Sequence, residues 1–149
     1  MTFSRHLKIA GLAIAFYTGW NADSLFVAWR HSPFDQADGM AWVIWMIPVC
    51  MGLCGDSEAR LLWLVGALGL TFLGSLLDLN LLRHLAFGLA CAGLTDLRRG
   101  FWIWLPTALA WMPVLGWFLS KENFDPFTTG CLRVILASGG TIGYFSLKK

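Results

Sequence analysis

Long apolar segments separated by short polar corners fill most of this chain, and the most regular pair occupies residues 61–77 and 85–94. Neither segment contains a charged residue, and the corner at 78–80 is followed by Arg83 and His84. A helix that is apolar on every side needs either a large protein core or a lipid bilayer around it. A chain of 149 residues is too short to provide such a core. The pattern therefore predicts a hairpin of two membrane helices with its corner at the outer membrane surface.

Similar segments elsewhere predict an all-α, polytopic transmembrane bundle, with residues 1–149 forming a single integral membrane domain. The predicted spans cover residues 9–29, 40–54, 61–77, 81–94, 101–119 and 127–145. A polar stretch at 21–24 interrupts the first span, and Pro48 lies within the second. Membrane helices tolerate such breaks when neighbouring groups satisfy the freed carbonyls. The sixth span is the weakest of the set because it carries Arg133.

The connections between these spans are predicted to be hydrated. In the loop at residues 30–38, Pro33 stops the preceding helix, and we expect Asp35 and Asp38 to keep the chain at the surface. Residues 56–60, with two acids and an arginine, predict a tight turn into the third span.

Composition agrees with a membrane protein. Hydrophobic residues make up 57% of the chain and charged residues only 13%, whereas soluble domains contain roughly 25% charged residues. The net charge of +2 is spread in ones and twos between apolar segments. This pattern excludes a basic patch for nucleic acid and makes the lipid bilayer the expected partner.

The positive charges predict which way the spans run. With six spans and a cytoplasmic N-terminus, seven basic residues lie inside and three outside, which follows the positive-inside rule. The inner group is Arg5, Lys8, Arg60, Arg98, Arg99, Lys148 and Lys149, and the outer group is Arg30, Arg83 and Lys121. We therefore expect an inner (plasma) membrane protein with both termini in the cytoplasm. Six tryptophans near predicted span ends resemble interface anchors: Trp20, Trp29, Trp42, Trp102, Trp104 and Trp117.

The four cysteines lie within or at the ends of apolar segments. Cys50 and Cys54 are one helical turn apart, but the chain has no CxxC pair and no His-rich stretch that would supply further metal ligands. We expect buried free thiols, and no metal or cofactor is predicted.

Polar side chains in the outer loops are the candidates for a binding site. Arg30 and His31 follow the first span, and Asp78 and Arg83 lie at the hairpin corner. An Asp78–Arg83 ion pair is the structural interpretation, and a site that uses Arg83, His84 or His31 is the functional alternative. For Arg133 the sequence leaves three alternatives open. Its side chain extends to a membrane surface, pairs with an acid from another helix, or contacts an anionic lipid headgroup.

A nucleophilic site is the sharper alternative. Cys91 lies seven residues after His84, so both side chains share one helix face at a separation of about 10 Å. Direct proton transfer needs about 3 Å, so a base for Cys91 has to come from another span. An apolar setting also disfavours the thiolate.

Three stretches carry a family resemblance. They are AWRHSPF at residues 28–34, LLDLNLLRHLAFGLACAGL at 76–94, and Trp111-Met112-Pro113 within a Trp-rich span. In this order, over residues 26–145, they resemble the first outer loop and the following helices of the exosortase and archaeosortase family.

The resemblance implies a polytopic membrane fold, in a family that processes C-terminal sorting signals with a Cys nucleophile assisted by Arg and His. Cys91-Ala92-Gly93 imitates the family's nucleophile motif, but its neighbours match an earlier part of the pattern. The chain therefore corresponds to the front half of the family, and we expect a non-catalytic accessory or partner subunit of a larger membrane assembly. The alternative is a minimal cysteine transpeptidase or protease that uses Cys91 with His84 or Arg83. A carrier for a small lipid-like ligand is a third possibility.

Overall fold

The computed structural model describes residues 2–55, 60–96 and 99–147, and over these ranges the chain is helical and contains no strand. The all-α class is therefore confirmed. The helices are α1 (Thr2–Asn21), α2 (Asp23–His31), α3 (Asp38–Trp45), α4 (Ile47–Cys54), α5 (Leu61–Leu76), α6 (Asn80–Ala92), α7 (Phe101–Trp104), a 3-10 helix (Leu105–Trp111), α8 (Pro113–Lys121) and α9 (Pro126–Ser146). The predicted turn at 56–60 lies outside the described residues except for Arg60.

The helices belong to two compact units. The first comprises Met1–Asp23 and Val49–Asp96, and the second comprises Ser24–Pro48 and Leu97–Lys149. The first unit thus contains α1, α5 and α6, and the second contains α3, α7, α8, α9 and the 3-10 helix.

The predicted hairpin forms the centre of the first unit. α5 and α6 are joined by a turn in which Asp78 adopts a φ of 52°, and the amide of Leu79 donates to the Gly74 carbonyl at 2.9 Å. At the opposite end of the hairpin, the amide of Arg60 donates to the Gly93 carbonyl at 2.9 Å. Backbone hydrogen bonds therefore close both ends, and the predicted pairing of two helices across the polar corner is confirmed.

Small side chains allow these two helices to approach closely. The buried residues of α5 are Leu64, Ala67, Thr71 and Gly74, which recur every three or four positions and so form one face of the helix. A Cβ at Gly74 would lie 3.0 Å from the Arg83 side chain. The opposite face of α5 carries large, exposed apolar side chains, including Leu62 and Phe72.

Three of the predicted spans are broken in the structure. The first is interrupted at Ala22 between α1 and α2, and the second at Met46, just before Pro48. The fifth is divided among α7, the 3-10 helix and α8. In the described ranges no individual helix has both the length and the apolar character that crossing a bilayer requires, and only Phe101–Trp111 together with Pro113–Lys121, bent by 69°, meet this requirement as a pair.

Aromatic side chains form the core of the second unit. The rings of Trp45 and Trp104 stack with centroids 4.2 Å apart, and each indole N–H donates to the other residue's carbonyl, at 3.3 Å and 3.0 Å. Trp111 packs beside Trp45 at 5.4 Å. The prediction that Trp104 anchors the chain at a membrane interface is therefore wrong, because its indole is buried and hydrogen-bonded inside the unit. Trp20, Trp102 and Trp117 are exposed, as an anchor requires.

Candidate functional site

A buried ion-pair cluster in the second unit is the most distinctive polar feature among the described residues. Arg133 projects from α9 and is 0% exposed. Its Nη2 donates to Oδ1 of Asp35 at 2.6 Å, and its Nη1 forms an ion pair with Oδ1 of Asp38. Of the three alternatives for Arg133, pairing with acids from other elements is the one observed.

The expectation that Asp35 and Asp38 keep their loop at the surface is wrong. Asp35 is 5% exposed and Asp38, the first residue of α3, is 0% exposed. The physical reason is Arg133: a guanidinium held inside a packed unit requires polar partners nearby, and these two carboxyls lie against its two terminal nitrogens. Neither Arg30 nor His31 takes this role. Both lie exposed at the end of α2, where Nδ1 of His31 is 2.9 Å from the Val27 carbonyl oxygen.

The same guanidinium also stabilises the break between the 3-10 helix and α8. Nη1 of Arg133 donates to the carbonyls of Ala110 and Met112, at 2.9 Å and 3.2 Å. The indole of Trp29 donates to the intervening carbonyl of Trp111 at 3.1 Å. These three carbonyls lie where the 3-10 helix ends and α8 begins, and the ends of helices leave such groups without intrahelical partners. Hydrogen bonds from Arg133 therefore connect α9 to the junction of the 3-10 helix and α8.

Gly116 brings α8 directly against the ion pair. A Cβ at this position would collide with Nη2 of Arg133 and with Oδ1 of Asp35. Because both atoms are fixed by their mutual hydrogen bond, the site has no room for a larger residue.

The Asp38 carboxyl keeps its proton to a higher pH than an exposed aspartate does. Asp38 belongs to the polar loop that precedes the second predicted span. Burial raises the pKa of its carboxyl from 3.8 to about 9. The positive charge of Arg133 opposes this shift, and the neighbouring Asp35 carboxyl adds to it. At neutral pH the Asp38 carboxyl is therefore protonated beside the Arg133 guanidinium.

The N-terminus of α9 is capped by an exposed aspartate. The Asp125 carboxylate accepts from the Thr128 amide at 3.0 Å and from the Thr128 hydroxyl at 2.5 Å. These hydrogen bonds lower the pKa of Asp125 and fix the start of the helix that carries Arg133.

In the first unit the predicted Asp78–Arg83 ion pair is confirmed. Nη2 of Arg83 lies 3.1 Å from Oδ1 of Asp78, and its Nη1 donates to Oδ1 of Asn80 at 3.3 Å. The Asp78 side chain is 91% exposed, so solvent screens this pair. The arrangement is a solvent-exposed ion pair at the corner of the hairpin.

His84 and Cys91 are both buried on α6. Their separation of seven helical positions corresponds to about 10 Å along the axis, which is too far for one to deprotonate the other. The Cys91 side chain is 2% exposed. The expectation of buried thiols is correct for Cys91 and wrong for the other three, because Cys50, Cys54 and Cys131 lie on outward helix faces.

A groove of about 620 Å³ lies in the second unit between α9 and the start of α3. It is lined by Gln36, Ala37, Met40, Pro126, Phe127, Gly130, Cys131, Val134 and Ile135. The Gln36 amide and the Cys131 thiol are its polar side chains, so its chemistry suits an apolar occupant.

Over residues 2–55, 60–96 and 99–147, no three His, Cys, Asp or Glu side chains are grouped so that they could hold a metal ion. Compared with protein-family models, curated proteins and solved structures, the chain matches none.

Sequence reasoning identified Arg133 but missed its partners and Gly116. One signal was available: an arginine in an apolar segment requires a counter-charge, and Asp35 and Asp38 were among the acids left without a partner in the predicted outer loops. Nothing in the local pattern around Gly116 distinguishes it from the other glycines.

Proposed function

We propose that this chain is a multi-pass protein of the bacterial inner membrane, with both termini in the cytoplasm, which acts as a non-catalytic partner subunit of a larger membrane assembly. Its resemblance to the front half of an exosortase suggests an assembly that handles exported proteins or polymers. The observation that carries the proposal is the distribution of large apolar side chains, which are exposed along helices whose packed faces are rich in small residues.

The exposed apolar surface is the first support. Soluble monomers rarely expose contiguous apolar patches larger than a few hundred Å². Here large apolar residues remain exposed along α1, α5 and α9, with Leu62 at 82% and Phe127 at 80%. The packed face of α5 contains Ala67, Thr71 and Gly74 instead. Small residues at helix contacts and large ones outside are typical of helices in lipid, where close backbone approach stabilises association.

The hydrogen bonds at the helix break are the second support. Lipid offers no hydrogen bonds, so a break at membrane depth requires protein donors for the freed carbonyls. Arg133 and Trp29 supply such donors to the carbonyls of residues 110–112.

The absence of catalysis is favoured by the position of Cys91. A nucleophile must reach its substrate, and this thiol is buried and about two helical turns from His84. Arg83 is engaged by Asp78 and Asn80. The transpeptidase alternative requires all three groups to be rearranged.

Labelling of introduced cysteines tests the membrane topology. With Cys50, Cys54 and Cys131 replaced by Ser, we expect Leu79→Cys at the hairpin corner to react with a membrane-impermeant maleimide in intact spheroplasts. The matched variant Arg5→Cys should react only after the membrane is permeabilised. Labelling of Arg5→Cys alone in intact spheroplasts, or recovery of the chain in the supernatant after membranes are pelleted, would contradict the proposed topology.

The subunit role is tested by native mass in a mild detergent. We expect a protein complex clearly larger than the 16.6 kDa chain after the contribution of detergent has been subtracted. The Cys91→Ala variant should give the same complex and the same processing of exported proteins, because the thiol has no catalytic part. A stable monomer would count against a subunit, and lost processing in Cys91→Ala would favour the transpeptidase.

A further inference from the structure

The cluster around Arg133 connects several backbone segments of the second unit. Asp35 lies in the loop before α3, and Asp38 begins α3 itself. The carbonyls of Ala110 and Met112 belong to the helix break. A change in this cluster is therefore transmitted directly to the backbone of each of these segments.

The hydrogen-bond capacity of the guanidinium is fully used on one side. Nη1 of Arg133 carries two hydrogens, and it faces three acceptors: Oδ1 of Asp38 and the carbonyls of Ala110 and Met112. While Asp38 is a neutral acid, the two Nη1 hydrogens can be donated to the two carbonyls, one to each. A carboxylate at Asp38 competes more strongly, because its full negative charge attracts the guanidinium more than a carbonyl dipole does.

Few other charges face Asp38. α9 contributes Arg133, and the preceding loop contributes Asp35. The 3-10 helix has no titratable residue, and Lys121 of α8 is exposed at the far end of that helix, beside the Trp117 ring. The other titratable groups of α9 are Cys131, which lines the groove, and Tyr144, which packs on the Trp104 ring. One positive charge thus stands between two carboxyls, and full ionisation of both leaves a net charge of −1 in a buried site.

We propose that Asp35, Asp38 and Arg133 form a proton-operated latch on the broken helix. With one proton on the carboxyl pair, the guanidinium holds the break at residues 110–112 against α9. When that proton leaves, the Asp38 carboxylate takes one of the two Nη1 hydrogens, one of the carbonyls of Ala110 and Met112 loses its donor, and the break opens. The chain therefore carries a built-in response to alkaline conditions at the face where the loop of residues 32–37 lies.

The sign of the pH dependence follows from linkage. The Asp38 carboxyl binds its proton more tightly in the closed state than in an open, solvated one, so closing takes up a proton. The stabilisation that proton binding gives to the closed state is complete below 3.8, the ordinary pKa of the carboxyl. It is lost as the pH rises to about 9, the pKa of Asp38 in the closed state. Over most of that interval the closing equilibrium falls about tenfold per pH unit, since one proton is involved.

Hydrogen exchange of the full chain in mild detergent tests the latch. Protection factors for the amides of residues 110–116, corrected for intrinsic exchange, should fall about tenfold per unit between pH 6 and 9 and level off above pH 9. In Asp38→Asn, whose amide is neutral at every pH, the protection should be flat. We call the pH above which protection stops falling the levelling point. In Asp35→Asn the levelling point should move to lower pH, because the neighbouring carboxyl no longer opposes ionisation of Asp38.

Controls separate this latch from other titrations. Tyr144→Phe and Cys131→Ser should keep the wild-type pH profile, because neither residue belongs to the cluster. Flat protection in the wild type, or a wild-type slope retained in Asp38→Asn, would overturn the proposal. If Asp38→Asn does not fold, the Asp35→Asn profile decides, and an unmoved levelling point overturns the latch.

Discussion

Replacing Arg133 with Met should lower the free energy of unfolding by about 3–5 kcal/mol, which is the usual effect of removing one partner from a buried ion pair. Methionine fills much of the space of the arginine stem, so the loss comes mainly from polar groups. The Asp35 carboxylate is left buried without a counter-charge, and the carbonyls of Ala110 and Met112 lose their donor. Chemical denaturation in a mild detergent, followed by tryptophan fluorescence, measures the change.

The same substitution at Arg83 is the matched control. Arg83 also pairs with an aspartate at about 3 Å, but the Asp78 carboxylate is almost fully exposed and solvent can replace the lost partner. Arg83→Met should therefore cost only about 0–1 kcal/mol. Equal losses at the two sites would show that burial does not govern the effect, and would contradict the interpretation of the Arg133 cluster.

Gly116→Ala should destabilise the protein by about 3 kcal/mol, although it adds a single methyl group. Overpacking a filled site usually costs about 1–3 kcal/mol. The added Cβ also has to displace the guanidinium of Arg133 or the carboxylate of Asp35, and a buried hydrogen bond lost in this way costs about 1–3 kcal/mol. Thermal unfolding of the purified variant in detergent measures the change.

Gly139→Ala provides the comparison for Gly116. A Cβ at Gly139 meets no atom within 4 Å, and the residue lies in the interior of α9. Alanine should then stabilise the helix by about 0.5–1 kcal/mol, because glycine loses more backbone freedom on folding. Opposite signs at the two glycines are the expected result. Destabilisation of similar size at both positions would indicate a general intolerance of side chains and not a clash with the ion pair.

The parts of the fold that sequence reasoning predicted correctly depend on local patterns. The α5–α6 hairpin follows from two uncharged segments and a polar corner, and its Asp78–Arg83 pair lies five residues apart in the sequence. The break at Ala22 lies within the polar stretch at 21–24, which interrupts the apolar pattern of the first predicted span. In each case the residues that decide the structure are neighbours in the chain.

The parts that were missed depend on partners far away in the sequence. Asp35 resembles an ordinary loop acid until Arg133, 98 residues later, is placed beside it. Trp104 resembles an interface anchor until Trp45 stacks on its ring, 59 residues away. The cysteines were predicted to be buried because their segments are apolar. Hydropathy does not indicate which helix face a side chain occupies when every face is apolar.

The separation between Asp35 and Arg133 also has a consequence for biosynthesis. The ribosome adds about 5–20 residues per second, so about 5–20 seconds pass between the synthesis of the acid and that of its counter-charge, 98 residues later. During this interval the α5–α6 hairpin is completed, while the first segment of the second unit waits with two carboxyls that have no partner. We therefore expect the nascent chain to hold Asp35 and Asp38 in a hydrated place until α9 emerges, so the ion pair forms as one of the last steps of assembly.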